Sequence, residues 1–283
     1  MISGLSGVFA ATLTPYRNDG PVSPGVVSSL TSSLINAGLS GTCPAGTTGE
    51  FPMLSREEKG LVNTVAASCG GTVIAGIWGA LADERADLAR RAGQDGARAL
   101  FLTTPIFFKS SPESTLAWYR SVRQVTALPI FAYSIPQHTG NPIALDVLEK
   151  LADEGTINGF KDSSGDLDWL VRVIGRLKGR ITIFAGHEGI FAPALEAGVD
   201  GFISGIAGVF PKTVLAVWHR EPGAVDRLLK VRQALHEAGT IPGLKYLSKR
   251  RGFDCGNPRE PLLPPSGAAL EPLDRLLEDD SLA

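Results

Sequence analysis

Short apolar runs alternate with amphipathic stretches from one end of the chain to the other. The runs that read as strands are Gly7–Thr14, Gly41–Ala45, Thr72–Ile77, Ala99–Thr103, Pro129–Ser134, Ile157–Lys161, Ile181–Ala185 and Gly201–Ser204. Most are nearly continuous in apolar residues, the pattern of parallel strands covered on both faces. Helical periodicity falls between them, over Ser55–Ser68, Asp83–Gln94, Pro112–Val125, Ala144–Asp153, Leu167–Leu177 and Gly189–Ala197. Two of these windows open on capping signatures: Ser55 with Glu58 three residues on, and Ser111 followed by Pro112 at a first helical position.

Glycine marks the junctions. Gly38, Gly96, Gly155 and Gly198 each end a helical stretch shortly before a strand begins, where a left-handed residue is needed to stop the helix. Their spacings of 58, 59 and 43 residues fit two strand–helix units of roughly 20 to 30 residues each. Eight strands, each followed by a helix, predict a (β/α)8 TIM barrel over residues 1–218, with an open doubly wound sheet as the alternative. Residues 219–283 hold further helices, Ala224–Ala238, Gly243–Lys249 and Ala268–Leu277, expected to pack on the barrel as a C-terminal helical extension. The last segment, Glu278–Ala283, is expected to fray.

Composition narrows the class. Of 283 residues, 43% are apolar and 20% charged, and the net charge is −2. That balance excludes a disordered chain and leaves no basic footprint for nucleic acid. No apolar run approaches the roughly 18 residues needed to span a membrane. Met1–Ala11 has no Lys or Arg before its apolar stretch and makes a poor signal peptide. Cys43, Cys69 and Cys255 are widely spaced and read as reduced thiols, so the expected location is the cytoplasm. The compositional oddity is glycine, at 33 residues.

In a barrel of this kind, chemistry sits at the C-terminal ends of the strands. Those ends offer Thr47, Thr48 and Glu50, then Phe107 and Lys109, then Tyr133, Gln137 and His138, then Lys161 and Asp162, then His187 and Glu188, and finally Ser204. Lys161 stands out because its stem leaves an apolar strand at the barrel mouth. Withdrawal from water favours a free amine, and a free amine is a Schiff-base nucleophile toward a carbonyl. The competing fate is an ion pair with Asp162 or a surface carboxylate. Tyr133 ends the neighbouring strand, where a phenol can move protons. Gly46-Thr-Thr-Gly-Glu50 is a glycine-flanked turn with two hydroxyls, suited to a small carboxylate and lacking the spacing of a nucleotide loop. The histidines show no metal-ligand spacing, so no metal is expected. Cys43 reads as an inert buried thiol, and Lys249–Arg251 as a solvated or inter-subunit basic patch.

Together these residues resemble the dihydrodipicolinate synthase / N-acetylneuraminate lyase superfamily of class I pyruvate aldolases. The resemblance runs over essentially the whole chain. It rests on Gly7-Val-Phe with Leu13-Thr-Pro15, Gly46-Thr-Thr-Gly-Glu50, Tyr133-Ser-Ile-Pro136 with Thr139-Gly140, Gly159-Phe-Lys-Asp-Ser-Ser-Gly-Asp166, Gly186 and Gly201-Phe-Ile-Ser204. It implies a barrel with a C-terminal helical region, assembled as a homotetramer that is a dimer of dimers. It also implies that Lys161 forms the Schiff base, that Tyr133 is the general acid/base, and that Thr47 and Thr48 hold the 2-oxo acid carboxylate. The backbone carbonyl of Ile203 would lie near bound pyruvate, and no cofactor would be required.

Departures from the family pattern bear on substrate. His138 stands where dihydrodipicolinate synthases carry an Arg for the aldehyde substrate's carboxylate, and Phe107 stands where they carry a proton-relay Tyr. Glu188 matches one half of the acidic pair of sialic acid lyases, but Gly189 replaces the other. Gly49-Glu-Phe-Pro52 with Leu54, Tyr133-Ser, Lys161-Asp-Ser, Ile241-Pro-Gly-Leu-Lys245 and Pro258-Arg-x-Pro261 are similar to the 4-hydroxy-2-oxoglutarate and 2-keto-3-deoxy sugar acid aldolases. The expected function is a lyase cleaving a 4-hydroxy-2-oxo acid to pyruvate and an aldehyde, with His138 and Glu188 as substrate-binding residues. A 2-keto-3-deoxy acid dehydratase, a dihydrodipicolinate synthase and a non-catalytic 2-oxo-acid-binding barrel are the alternatives.

Overall fold

The computed structural model describes residues 4–17 and 20–282. Met1–Ser3 of the N-terminal stretch and Ala283 of the C-terminal one lie outside the described residues. Eight strands form the sheet: β1 (Gly7–Ala11), β2 (Gly41–Cys43), β3 (Thr72–Gly76), β4 (Ala99–Thr103), β5 (Ile130–Ser134), β6 (Gly159–Asp162), β7 (Thr182–Ala185) and β8 (Gly201–Ser204). All neighbours pair in parallel, and β1 closes on β8 with Gly7 opposite Gly201 and Phe9 opposite Ile203. The closed barrel is therefore the topology, and the open sheet is excluded. Several strands are shorter than the apolar runs that mark them, because the runs continue past the last ladder pair into buried loops such as Leu13–Thr14 and Pro44–Ala45.

The helices follow in order: α1 (Pro24–Asn36), α2 (Arg56–Ala67), α3 (Ala82–Gln94), α4 (Pro112–Arg123), a single turn α5 (Pro136–Thr139), α6 (Leu145–Asp153), α7 (Leu167–Leu177), α8 (Phe191–Ala197) and α9 (Pro211–Trp218). Beyond them come α10 (Ala224–Ala238), α11 (Thr240–Arg250) and α12 (Leu270–Leu277). None of the described helices is long and apolar enough to cross a membrane. The α2 start is a full capping box, in which Ser55 Oγ accepts from Glu58 N and the Glu58 carboxylate accepts from Ser55 N. Gly38, Gly96, Gly155 and Gly198 all take positive φ, between 66° and 97°, so the helix-stop reading of these glycines holds. The C-terminal segment does not fray. Asp280–Leu282 form a 3-10 turn, Leu282 is buried, and Asp279 pairs with Lys230 at 2.6 Å, tying the tail back to α10.

Alternation along each strand divides the core into two shells. Leu100, Ala132, Phe160, Ile183 and Phe202 face outward into the helix layer, while Phe9, Ile74, Phe101, Phe131, Phe184 and Ile203 fill the barrel. The inner shell works by pairing large with absent side chains. A Cβ at Gly159 would lie 2.1 Å from the Phe131 ring, and one at Gly201 2.6 Å from the Phe184 ring. Phe131 and Phe184 then stack at 5.4 Å between centroids, and Phe9 meets Phe184 edge-on at the same distance. Part of the glycine excess thus makes room for an aromatic floor beneath the barrel mouth.

A buried ion pair ties the C-terminal region to the barrel. Glu50, which follows the turn after β2 with a left-handed φ of 60°, is fully buried and lies 2.8 Å from Lys245 Nζ on α11. Lys245 also donates to the carbonyls of Thr14, Cys255 and Asn257 and sits 3.9 Å from the centre of the Tyr16 ring. Burial pulls the Lys245 ammonium below its ordinary range, against the opposing pull of Glu50. The second carboxylate oxygen of Glu50 accepts from Arg259 N at 2.8 Å, and the Arg259 guanidinium forks onto Glu58 of the α2 cap. Removing one member of such a pair strands the other charge in a dry interior. Lys245→Met is therefore expected to destabilise the fold by about 3–5 kcal/mol, and Glu50→Gln with Lys245→Met together to recover much of that loss. Denaturant titration of the three proteins checks this, and a single variant no worse than the double would refute it.

Candidate active site

The register of the barrel brings the sequence-predicted residues together. Tyr133 on β5 pairs directly with Lys161 on β6, so both side chains point into the barrel at one level. Lys161 Nζ lies 4.1 Å from the centre of the Tyr133 ring and 5.9 Å from that of Phe101. Lys161 is 5% exposed, and among the described residues no carboxylate lies within ion-pairing distance of it. The ion pair with Asp162 weighed from the sequence does not form. Asp162 follows Lys161 along the strand and so points to the opposite face, where its carboxylate accepts from Ser164 Oγ at 2.7 Å and from Ser164 N. Burial pushes the Asp162 carboxyl up to about 6, with the Ser164 hydrogen bonds opposing that shift.

Lys161 keeps its place because Gly186 has no side chain. A Cβ at Gly186 would come within 2.6 Å of Lys161 Cε and 2.3 Å of Ser163 Oγ. Thr47 and Thr48 reach the same level from the turn after β2, and Thr47 Oγ1 lies 3.3 Å from the Tyr133 hydroxyl. Among the described residues, the N–H groups of Thr47 and Thr48 make no hydrogen bond to the protein, whereas Glu50 N and Phe51 N close the turn onto the carbonyls of Thr47 and Gly46. The turn presents two free N–H groups and two hydroxyls beside a buried amine, an arrangement that suits a small carboxylate next to a carbonyl. Its far end is held by the Glu50–Lys245 pair.

These side chains line a cavity of about 420 Å³ at the C-terminal mouth, together with Ile203, Glu188 and His138. Ile203 is buried at the end of β8. Glu188 lies in the wall, but its Oε1 accepts from Ser204 Oγ at 2.8 Å and Gly205 N at 3.1 Å, so one oxygen holds the turn after β8. His138 is exposed on the one-turn helix α5 at the rim. Cys43 faces the barrel interior, and burial pushes its thiol up to about 12, which makes it inert at neutral pH. In the Lys249–Arg251 cluster, Lys249 pairs with Asp254, Arg250 lies 3.6 Å from Asp274, and Arg251 sits over the Phe210 ring. A larger cavity of about 580 Å³ opens elsewhere, between Tyr16, Arg17, Ser23 and Val26 on one side and α11 on the other, and its buried amine, Lys245, is already bound to Glu50.

One wall of the mouth was not read from the sequence as part of the site. Arg232 and His236 on α10, and Thr240 at the start of α11, face the cavity across from the barrel strands. A signal for Arg232 was present: it falls four residues after Leu228 and three before Leu235, on the buried stripe that Leu228, Val231 and Leu235 mark on α10. A charge on the apolar face of a helix needs a reason. Here the reason is tertiary, because that face looks onto His187 at the end of β7. Arg232 lies 3.3 Å from His187 Nε2.

The sequence model of the dihydrodipicolinate synthetase family matches residues 4–280. An uncharacterized DapA-like lyase of Halobacterium salinarum is 31% identical over 270 residues, covering 92% of this chain and 88% of that protein. A 4-hydroxy-tetrahydrodipicolinate synthase of Methanothrix thermoacetophila is 30% identical over 271 residues, covering 92% of each. Among solved structures, a chloride-inhibited dihydrodipicolinate synthase of Acinetobacter baumannii complexed with pyruvate superposes with a TM-score of 0.91 at 26% identity, over 99% of this chain and 100% of that one. With a matched barrel and a match from residue 4 to residue 280, the chain belongs to the dihydrodipicolinate synthetase family, within the class I pyruvate-dependent lyases, and is an enzyme of carbon–carbon lyase type.

Proposed function

We propose that this enzyme reversibly cleaves a 4-hydroxy-2-oxo acid or a 2-keto-3-deoxy sugar acid to pyruvate and an aldehyde. The observation that carries the reading is the buried Lys161 amine, with no carboxylate partner among the described residues, beside Tyr133 and the Thr47–Thr48 turn. Lys161 Nζ attacks the C2 carbonyl and water leaves, giving an iminium. Tyr133 takes the C4 hydroxyl proton, the C3–C4 bond breaks, and its electrons move to the iminium nitrogen as the aldehyde departs. The resulting enamine takes a proton at C3, and water releases pyruvate from Lys161. Thr47 and Thr48 would hold the C1 carboxylate throughout, with the Ile203 carbonyl beside the three-carbon unit. The aromatic floor of Phe131 and Phe184 lies in the inner shell that also contains Tyr133 and Ile203. It keeps water from reaching the imine from within the barrel.

A second reading, 4-hydroxy-tetrahydrodipicolinate synthase, is favoured by the name of the Methanothrix thermoacetophila relative. His138 in place of Arg and Phe107 in place of a proton-relay Tyr weigh against it. Phe107 also bears on assembly. It is 87% exposed at a left-handed φ of 76°, edge-on to Phe108, which is 76% exposed. Two bare aromatic rings on a strained loop fit a surface covered by another subunit, in line with a homotetramer.

Pyruvate followed by borohydride is expected to leave a reduced adduct on Lys161, read by mass spectrometry; an unmodified lysine would refute the mechanism. Lys161→Ala should abolish the adduct. Gly186→Ala should reduce it strongly, by crowding Lys161, while circular dichroism stays that of a folded barrel. Tyr133→Phe should retain adduct formation and slow aldol cleavage by about a hundredfold or more. Replacing Phe107 and Phe108 together by Ser should shift the sedimentation profile to smaller species, and an unchanged profile would remove these rings from the interface.

A further inference from the structure

Arg232 has no counterpart among the residues that form the imine, yet it shares their cavity. Its guanidinium lies 3.3 Å from His187 Nε2, and among the described residues no carboxylate lies within ion-pairing distance of it. The His187 ring is slotted between two glycines: a Cβ at Gly165 would come within 3.2 Å of it, and one at Gly189 within 3.0 Å. The Gly189 position would also lie 3.5 Å from Arg232 Nε. Gly189 therefore leaves open the space that the His187–Arg232 pair occupies. Burial and the adjacent guanidinium hold the His187 imidazole below its ordinary range, so it meets Arg232 as a neutral acceptor. His187 directly follows Gly186, where a Cβ would come within 2.6 Å of Lys161 Cε, and the pair lines the same cavity as Lys161. His236 and His138 lie on the same rim. Glu188, in the same wall, already has Oε1 committed to Ser204 and Gly205.

We propose that Arg232, positioned by His187, receives a carboxylate on the aldehyde half of the substrate, so that the enzyme selects 4-hydroxy-2-oxo dicarboxylates over neutral-tailed analogues. This rests on the lyase reading and adds a residue to it. The Thr47–Thr48 turn takes the carboxylate next to the imine, and a second carboxylate beyond C4 meets the only described guanidinium that lines this cavity. A half-buried guanidinium fork with no anionic partner among the described residues is built to take a carboxylate in two parallel hydrogen bonds.

The test uses the condensation direction, with pyruvate and either glyoxylate or glycolaldehyde, two aldehydes of one size that differ in charge. The wild-type enzyme is expected to favour glyoxylate in kcat/KM. Arg232→Ala should lower the glyoxylate-to-glycolaldehyde ratio by about ten- to a hundredfold, mainly through KM for glyoxylate. Arg232→Lys should keep part of the ratio. His187→Ala should lower it less than Arg232→Ala, through a looser guanidinium. A ratio unchanged in Arg232→Ala, or a wild-type preference for glycolaldehyde, overturns the assignment. If pyruvate and borohydride label Lys161 while the ratio is unmoved, this inference alone fails. If no label forms in the wild type, the lyase reading fails and takes the inference with it.

Discussion

The fully buried pair of Glu50 and Lys245 holds the site to the rest of the molecule. Glu50 sits in a left-handed conformation that costs a non-glycine residue of order 1–3 kcal/mol, a strain that persists only where the surroundings over-determine it. They do so here. Lys245 reaches in from α11, three backbone carbonyls complete its hydrogen bonds, and Arg259 binds the other carboxylate oxygen. The consequence reaches the candidate site. The Thr47–Thr48 turn is fixed at one end by β2 and at the other by a charge pair that spans nearly two hundred residues of sequence. The same pair sets α11 against the barrel, and α10 with it, so Arg232 faces Lys161's cavity because Glu50 is where it is.

Inside the barrel a second constraint acts, and it is steric. Eight strands leave an interior only wide enough for side chains to fill. Three large rings, Phe9, Phe131 and Phe184, occupy one level because Gly41, Gly159 and Gly201 yield space at the same level. Beside these rings, Lys161 and Tyr133 project into the mouth, and Gly186 again supplies the space. Glycine therefore sets where bulk can go, and bulk sets where the amine can point.

Much of this was readable before any coordinates. The eight strands, the capped helices α2 and α4, the glycine helix stops and the pairing of Lys161 with Tyr133 on adjacent strands all follow from local pattern. They depend on period, caps and order along the chain. The expected fraying of the last segment did not hold up to Leu282, because Leu282 finds a buried site and Asp279 a lysine on α10, contacts that no local rule anticipates. The Asp162 partner for Lys161 failed for a simpler reason, that successive strand residues point to opposite faces. Glu188 lines the mouth as placed, but with one oxygen bound to the turn after β8. Arg232 went unread because its meaning lies in what its helix face touches.

By itself, then, the sequence determined the barrel, the placing of Lys161 and Tyr133 at its mouth, and the turn beside them, since each depends on residues close in the chain or on a fixed period. Only the tertiary structure decided which charges are paired and which are left open. Lys245 is bound to Glu50, Asp162 is turned away, and Lys161 and Arg232 face one cavity with no carboxylate partner among the described residues. Electrostatic partnership depends on distance in space across elements far apart in sequence, and in a dry interior that distance fixes whether a charged group holds the fold or remains available to a ligand.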